Sequence, residues 1–416
     1  MNTAVSSIAK DRAYSIPLAD IDMSEEELFQ SGTHWPYFER LRREAPIHYR
    51  KDGKRGSFWS VTKYKDIMAV DTNHKVFSSA AHLGGITIVD APPQMRRASF
   101  ISMDPPKHDE QRRAVSPIVA PGNLMNLEAL IRSRACAILD SLPRNETFDW
   151  VDKVSIELTT QMLATLFDFP FEDRRLLTYW SDVVTTVPRP GIEIDTWEKR
   201  DAILQECLKY FTVLWNERVN APPRNDLISM LAHSPATRDM NGPEFLGNLG
   251  LLIVGGNDTT RNSISGGVLF LNENPDEYQK LRDNRAVIPS AVSEIIRCQS
   301  PIAHMRRTAL SDFTLGGQQI KEGDKVVMWY ISGNRDEEVI KDADKFIVDR
   351  PNARQHLAFG FGVHRCVGNR LAEMQLQILW EEALKRFPLI EVVGEPVRLA
   401  SAFVHGITSL PVRISG

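Results

Sequence analysis

The sequence predicts one mainly α domain with a few small β-sheets, and three observations carry that expectation. From Leu124 to Met240 the apolar residues recur with helical period. From about Phe245 to Leu271 a single apolar helix has room to cross a whole domain, at roughly 40 Å for 1.5 Å per residue. Strand-like runs are short, near Ile47–Val61 and Phe313–Met328. A length of 416 residues would allow two or three domains, yet no Gly/Ser-rich or Pro-rich linker, repeat or low-complexity run offers a boundary. One domain spanning 1–416 is therefore expected, with roughly the first twenty polar residues flexible.

Composition narrows the function. Hydrophobic residues make up 42%, charged residues 25%, and the net charge is −4, an ordinary globular balance that argues against nucleic acid as partner. No run approaches the roughly 18 apolar residues of a membrane span, and Lys10, Asp11 and Arg12 rule out a signal-peptide reading of the N-terminus. Cys136, Cys207, Cys298 and Cys366 lie far apart without metal-type spacing, so a reducing cytoplasm fits.

In chain order, His34–Ala45 reads as a helix stopped before Pro46. A hairpin turning at Asp52-Gly53 and a helix near Tyr64–Thr72 follow. Ser78–Met103 has no sustained period but many apolar side chains, the texture of a loop that covers something or simply packs. Asp104-Pro105-Pro106 starts a helix on which His108 and Arg112, four apart, share a face suited to an anion or to solvent. Breaks at Phe169-Pro170, Pro188–Gly191 and Pro222-Pro223 divide the helical middle, and Val187–Ile194 has the make-up of a mobile lid.

The long helix contains a local conflict. After the apolar run Leu249–Val254 come Gly255, Gly256, Asn257, Asp258, Thr259 and Thr260, which are poor helix residues that bond the backbone themselves. A C-cap fails as explanation because Val268–Leu271 continue the apolar pattern. A distortion that opens a groove for a small ligand is expected there, with Asp258 and Thr259 presenting carboxylate and hydroxyl. Further on, Glu294 and Arg297 stand three apart on a helix, weak evidence alone. Phe313–Leu315, Gln318–Ile320 and Lys325–Met328 read as strands with Gly316-Gly317 as a turn, and the tail Leu399–Leu410 as strand-like with a turn at Phe403–Gly406.

Near the C-terminus, Phe359-Gly360-Phe361-Gly362-Val363-His364-Arg365-Cys366-Val367-Gly368 precedes a helix that Phe387-Pro388 ends. The glycines allow tight turns and close backbone approach to a ligand. At a helix entrance Cys366 is favoured as a thiolate, which makes it a metal or haem ligand, a nucleophile, or only a small buried hydrophobe.

The full spelling Phe-x-x-Gly-x-His-x-Cys-x-Gly resembles the haem-binding loop of the cytochrome P-450 monooxygenases. Gly255, Gly256, Asp258, Thr259 and Thr260 resemble that family's oxygen-activation motif. Glu294 and Arg297, with Arg350 as a third partner, resemble its structural Glu–Arg pair, and 104–113 its propionate-binding helix, although Val119 stands where the family often has Phe. The resemblance implies the triangular-prism fold, haem b (iron protoporphyrin IX) with Cys366 as axial ligand, and carboxylate binding by His108, Arg112, His364 and Arg307, with Arg306 as competitor. Gly255, Gly256, Phe359 and Gly368 would border the cofactor. Thr259 would hold oxygen and a water while Asp258 relays protons.

It also implies dioxygen as co-substrate and electrons from a ferredoxin and its NAD(P)H-linked reductase, docking on Arg112, Arg113, Arg365 and Arg370 of a monomer without membrane segment. The runs 251–263 and 364–373 resemble the soluble bacterial alkane terminal hydroxylases. That likeness implies ω-hydroxylation of medium-chain alkanes, with fatty acids as relatives, in a pocket expected to include Leu83, Ile86, Val89, Phe100, Leu251, Leu252, Ile302, Met305, Phe403 and Val404. A terpene, steroid or aromatic substrate is the alternative, and a non-enzymatic haem sensor ranks below it.

Overall fold

The computed structural model describes residues 3–416. Its frame is helical. Pro121–Asp140, Glu157–Phe167, Arg175–Thr185, Trp197–Val219, Gly242–Glu273, Ile288–Gln299 and Asn369–Arg386 bury their apolar stripes in one core that includes Phe167, Phe211, Ile253, Leu271 and Trp380. The proline breaks fall where they were expected, and a short strand Thr147–Asp149, too brief to show a period, pairs with Pro411–Ile414. No helix among the described residues is long and apolar enough to cross a membrane.

The central helix Gly242–Glu273 is longer than its apolar period indicated. It starts earlier because the Asn241 side chain accepts a hydrogen bond from Glu244 N at 2.9 Å, a cap worth about 1 kcal/mol, with Pro243 in the first turn. It runs through Gly255-Gly256 without a break. The opening is made by missing side chains: a Cβ on Gly255 would meet nothing within 4 Å.

The main sheet has five strands in the order Ile47–Gly53, Gly56–Val61, Lys325–Met328, Met305–Ala309, Phe77–Ser78. The first hairpin turns at Lys54-Arg55 rather than at Asp52-Gly53. Asp52 adopts φ 48° and the register slips between Arg50 and Gly53, which carries the strand past the expected turn. The Gly316-Gly317 turn forms with both residues at positive φ. Of the tail, only Val397–Arg398, Ile407–Ser409 and Pro411–Ile414 are strands, because the chain between them loops into the interior at Phe403.

The polar N-terminal segment carries a helix, Thr3–Ser15, whose Ala9 and Ala13 are buried. Met1 and Asn2 lie outside the described residues. Glu294 and Arg297 are wholly buried, with Arg297 Nε and Nη2 each 2.8 Å from a carboxylate oxygen. Arg350 Nε donates to the same carboxylate at 2.9 Å, and Arg297 Nη1 reaches the carbonyls of Asn334 and Ala343.

Candidate active site

Between the central helix and the cysteine loop lies a cavity of ≈ 470 Å³. The loop reaches it through two glycines. Gly360 and Gly362 have φ of 65° and 66°, and at Gly362 a Cβ would meet the Asp71 carbonyl oxygen at 2.6 Å, so only glycine fits. Gly368 serves differently: its φ is −93°, and its Cα face is bare toward open space. Cys366 N donates to Phe359 O at 2.8 Å, closing the loop and aiming the sulfur into the cavity.

The helix after the loop begins at Asn369, three residues past Cys366. Burial pushes the Cys366 thiol up; the Gly368 N–H and the Arg112 and Arg365 charges pull it down and do not win. The Gly368 N–H and the two arginines favour a thiolate, as expected at a helix entrance, but do not by themselves produce one. Coordination by a metal does, since a coordinated thiol is deprotonated outright.

Four basic side chains border the cavity. His108 and His364 stack edge to face at 4.3 Å, and each leaves one buried ring nitrogen, Nε2 of His108 and Nδ1 of His364, without a partner. The other nitrogens meet Asp109 Oδ1 at 2.7 Å and Ser79 Oγ at 3.0 Å. Burial, helped by Arg307, His108 and Arg112, holds His364 down at about 2, so the ring is neutral and can carry its proton on the free Nδ1. Arg112 donates to Arg365 O at 2.5 Å and Arg307 to Asp71 Oδ1 at 2.8 Å. Two arginines and two orphaned imidazole nitrogens beside an apolar slot, with bare glycine surfaces at Gly255 and Gly368, fit a flat apolar group bearing two carboxylates. The donor set thus fits haem.

Strand alternation separates Arg307 from its competitor. On Met305–Ala309, Met305 and Arg307 face the cavity, while Arg306 points to the opposite face and pairs with Asp90. Asp71, which no motif marked, is the hub behind this wall. Its carboxylate accepts from Arg307, from Tyr330 Oη at 2.8 Å and from Phe361 N at 2.8 Å, tying the arginine to the cysteine loop. The only advance signal was an Asp directly after the apolar run Ile67–Val70.

On the opposite wall Thr259 Oγ1 donates to Gly255 O at 2.9 Å and borders the cavity. Asp258 does not reach the wall. One helical step from Thr259, it points inward, where Oδ1 accepts from Arg261 Nη2 at 2.7 Å and from Asn257 Nδ2 at 3.2 Å, and the buried Ser181 hydroxyl lies beside the carboxylate. Burial is the largest cause of its raised pKa, about 6, with Arg261 opposing and Asp182 adding to the rise. Arg261 also pairs at 2.8 Å with Asp182, which is half exposed. The set links a half-exposed carboxylate, through a guanidinium, to a buried carboxyl one residue from Thr259.

The apolar walls include Ile86, Val89, Phe100, Leu251, Leu252, Ile302, Met305 and Phe403. Leu83 and Val404 are not on them. Only the Leu83 carbonyl is engaged, by Arg306 and Thr308, and Val404 is buried against Ile302 in a β-bridge. The sequence reading missed Met162, Leu163 and Leu166, and also Val184, Trp197 and Arg200, because helices with ordinary amphipathic period give no sign of which neighbour they face. Of the arginines proposed to dock a partner, Arg113, Arg365 and Arg370 are exposed, whereas Arg112 is half-buried in the cavity wall.

Comparison with known proteins is consistent along the chain. The cytochrome P450 family model matches residues 193–411. A solved structure of cytochrome P450-153 from Novosphingobium aromaticivorans superposes with TM-score 0.90 at 48% identity, over 95% of this chain and 99% of that one. Linalool 8-monooxygenase of Pseudomonas putida is 36% identical over 404 residues, 94% of this chain and 98% of the relative. A methyl-branched lipid omega-hydroxylase of Mycobacterium bovis is 32% identical over 413 residues, 95% of each.

Proposed function

The chain belongs to the cytochrome P450 family, and from that premise we propose that it hydroxylates the terminal carbon of medium-chain alkanes and similar linear apolar chains, with electrons delivered by a ferredoxin. Family membership makes it a haem-thiolate monooxygenase that uses dioxygen and a redox partner. Bound haem with a cysteine thiolate on its iron supplies dioxygen activation, the thiolate's electron density favouring O–O cleavage.

The residue roles are part of the proposal. Cys366 Sγ would ligate the haem iron, and His108, Arg112, Arg307 and His364 would receive the two carboxylates. Phe359 and Gly368 from the cysteine loop, and Gly255 and Gly256 from the central helix, would border the cofactor. Thr259 Oγ1, which rests on the Gly255 carbonyl, turns its hydroxyl to the cavity and holds a water there. Asp258 takes a proton at Oδ2 and passes it toward that hydroxyl; a group poised near 6 both accepts and releases protons at neutral pH. Glu294, Arg297 and Arg350 hold the segment ahead of the cysteine loop. Exposed Arg113, Arg365 and Arg370 form the ferredoxin docking patch of a cytoplasmic monomer, a reading supported by their place around the loop.

The observation that carries the substrate reading is the wall. Aliphatic and aromatic groups from Ile86 to Phe403 enclose the space between Thr259 and the exterior, and such a surface selects by shape while excluding water. Octane is the test: 1-octanol should be the main product by gas chromatography, and mainly 2- and 3-octanol would refute terminal positioning. The relative named for linalool keeps a terpene as second reading. Titrating the haem spin state with octane, a fatty acid and a terpene separates the two. For the ligand, reduced protein under carbon monoxide should show the red-shifted Soret band of thiolate coordination, and Cys366→Ser should lose it.

A further inference from the structure

The substrate cavity has one wall of irregular chain that is bonded more densely than a loop requires. Leu83–Asp90 forms turns and bends with no strand, yet Gly84, Gly85, Ile86, Thr87 and Val89 border the cavity. Each holding bond comes from the face of the main sheet turned away from the cavity, or from the strand edge. Thr308 lies opposite Lys325, and Arg306 opposite Val327, so Arg306, Thr308 and Lys325 share that face.

Arg306 Nη2 and Thr308 Oγ1 both donate to the Leu83 carbonyl, at 3.1 and 3.0 Å, and Arg306 N donates to Ile86 O at 2.8 Å. His304 Nε2 accepts from Ile88 N at 3.0 Å, while Lys325 Nζ donates to Ile88 O at 3.0 Å. Asp90 pairs with Arg306 and with Lys325, the latter at 2.6 Å. Gly84, at φ 114°, adopts a backbone conformation that favours glycine, and a Cβ there would push into the Arg306 guanidinium. His304, Arg306, Thr308 and Lys325 are all under 9% exposed. Burying two cations against one half-exposed carboxylate is an expensive way to hold a loop that apolar packing would also cover. What the cations add is direction, since each carbonyl is held at a set distance and angle.

The adjoining stretch contrasts with this. Ala91–Arg97 also borders the cavity, but Arg96 bonds back to His82 O and Ala91 O, and Arg97 to Gln94 O and to Asp201 on the helix Trp197–Val219. One half of the covering loop is tied to the sheet, the other to itself and one helix.

We propose that His304, Arg306, Thr308 and Lys325, with Asp90, clamp Leu83–Asp90 as the fixed wall of the substrate cavity, and that this fixed wall sets which carbon of a flexible chain is presented for oxidation. They are positioning residues: Ile86 and Val89 touch the substrate, and the clamp acts through them. The second half of the statement rests on the linear-chain reading above.

The test is made on the haem-loaded protein with Lys325→Met, Arg306→Gln and Asp90→Asn, and with Lys325→Arg as the conservative variant. Hydrogen–deuterium exchange at the Ile88 amide should quicken at least tenfold in the first three and return toward wild type in Lys325→Arg, with the thiolate Soret band unchanged. The ratio of internal to terminal octanols should rise at least threefold in parallel. The clamp is overturned if Ile88 exchanges no faster in Lys325→Met and Asp90→Asn, or if it exchanges faster while the product ratio stays put. Should Arg306→Gln fail to fold, those two variants decide. A wild type that makes mainly internal octanols refutes the linear-chain reading instead, and the clamp is then judged by whether the variants move that ratio.

Discussion

Two buried acid–base clusters in this protein use the same chemistry to opposite ends. In one, Glu294 accepts from Arg297 twice, from Arg350 Nε and from Ile347 N, so both its oxygens are filled. In the other, Asp258 accepts from Arg261 and Asn257 through Oδ1, with the Ser181 hydroxyl beside the carboxylate, and the far side of Arg261 meets a half-exposed Asp182. The first cluster is closed. The second is more sparsely bonded and reaches the surface through Asp182, and burial with few donors raises the Asp258 carboxyl. Complete satisfaction builds structure, and an incomplete network stores a reactive group.

Four substitutions test that contrast, in falling order of effect. Glu294→Ala strands two buried guanidinium groups, so chemical denaturation should show a loss of about 3–5 kcal/mol together with failure to retain haem. A loss under about 1 kcal/mol would mean the cluster is not closed as described.

Asp258→Asn should act the other way, with a pH signature. Burial pushes the folded carboxyl up to about 6 from an ordinary 3.8, so the folded state holds this proton more tightly. That contribution favours folding below the unfolded pKa and is lost as pH rises through about 6, leaving a penalty on the order of 3 kcal/mol above it. Unfolding curves at pH 5 and pH 8 should show the variant gaining on wild type as pH rises, while its turnover falls. A constant difference across that range would contradict the raised pKa.

Thr259→Ala loses one hydrogen bond to Gly255 O, about 1 kcal/mol or less, yet product formed per NAD(P)H consumed should fall severalfold as peroxide appears. Unchanged coupling would remove Thr259 from the proton path. The mildest change is Asp182→Asn, at the exposed end, with under about 1 kcal/mol in stability. Because Asp182 adds to the rise at Asp258, its loss should move the pH midpoint of that group downward.

Much of this was legible in the linear chain because it is local. The glycines at 360 and 362, the helix stop at Phe387-Pro388, the conflict of Gly255–Thr260 with an apolar helix, and the spelling around Cys366 each depend on residues within a turn or two. Composition and period were enough for the mainly α class. Other features depend on pairing. Arg306 and Arg307 are adjacent and chemically identical, and only the register of Met305–Ala309 against Lys325–Met328 turns one to the cavity and the other to the loop. Asp71, 236 residues from Arg307, became the support of the cysteine loop through tertiary contact alone. Asp258 and Thr259 are neighbours whose side chains diverge by one step of a helix, and burial, which no motif spells, raised one and left the other at the cavity. The sequence by itself determined which chemical groups were available and on which elements they lie. The tertiary structure decided which face each element turned inward and which buried groups were left unpaired, because burial and pairing are properties of neighbours distant in the chain.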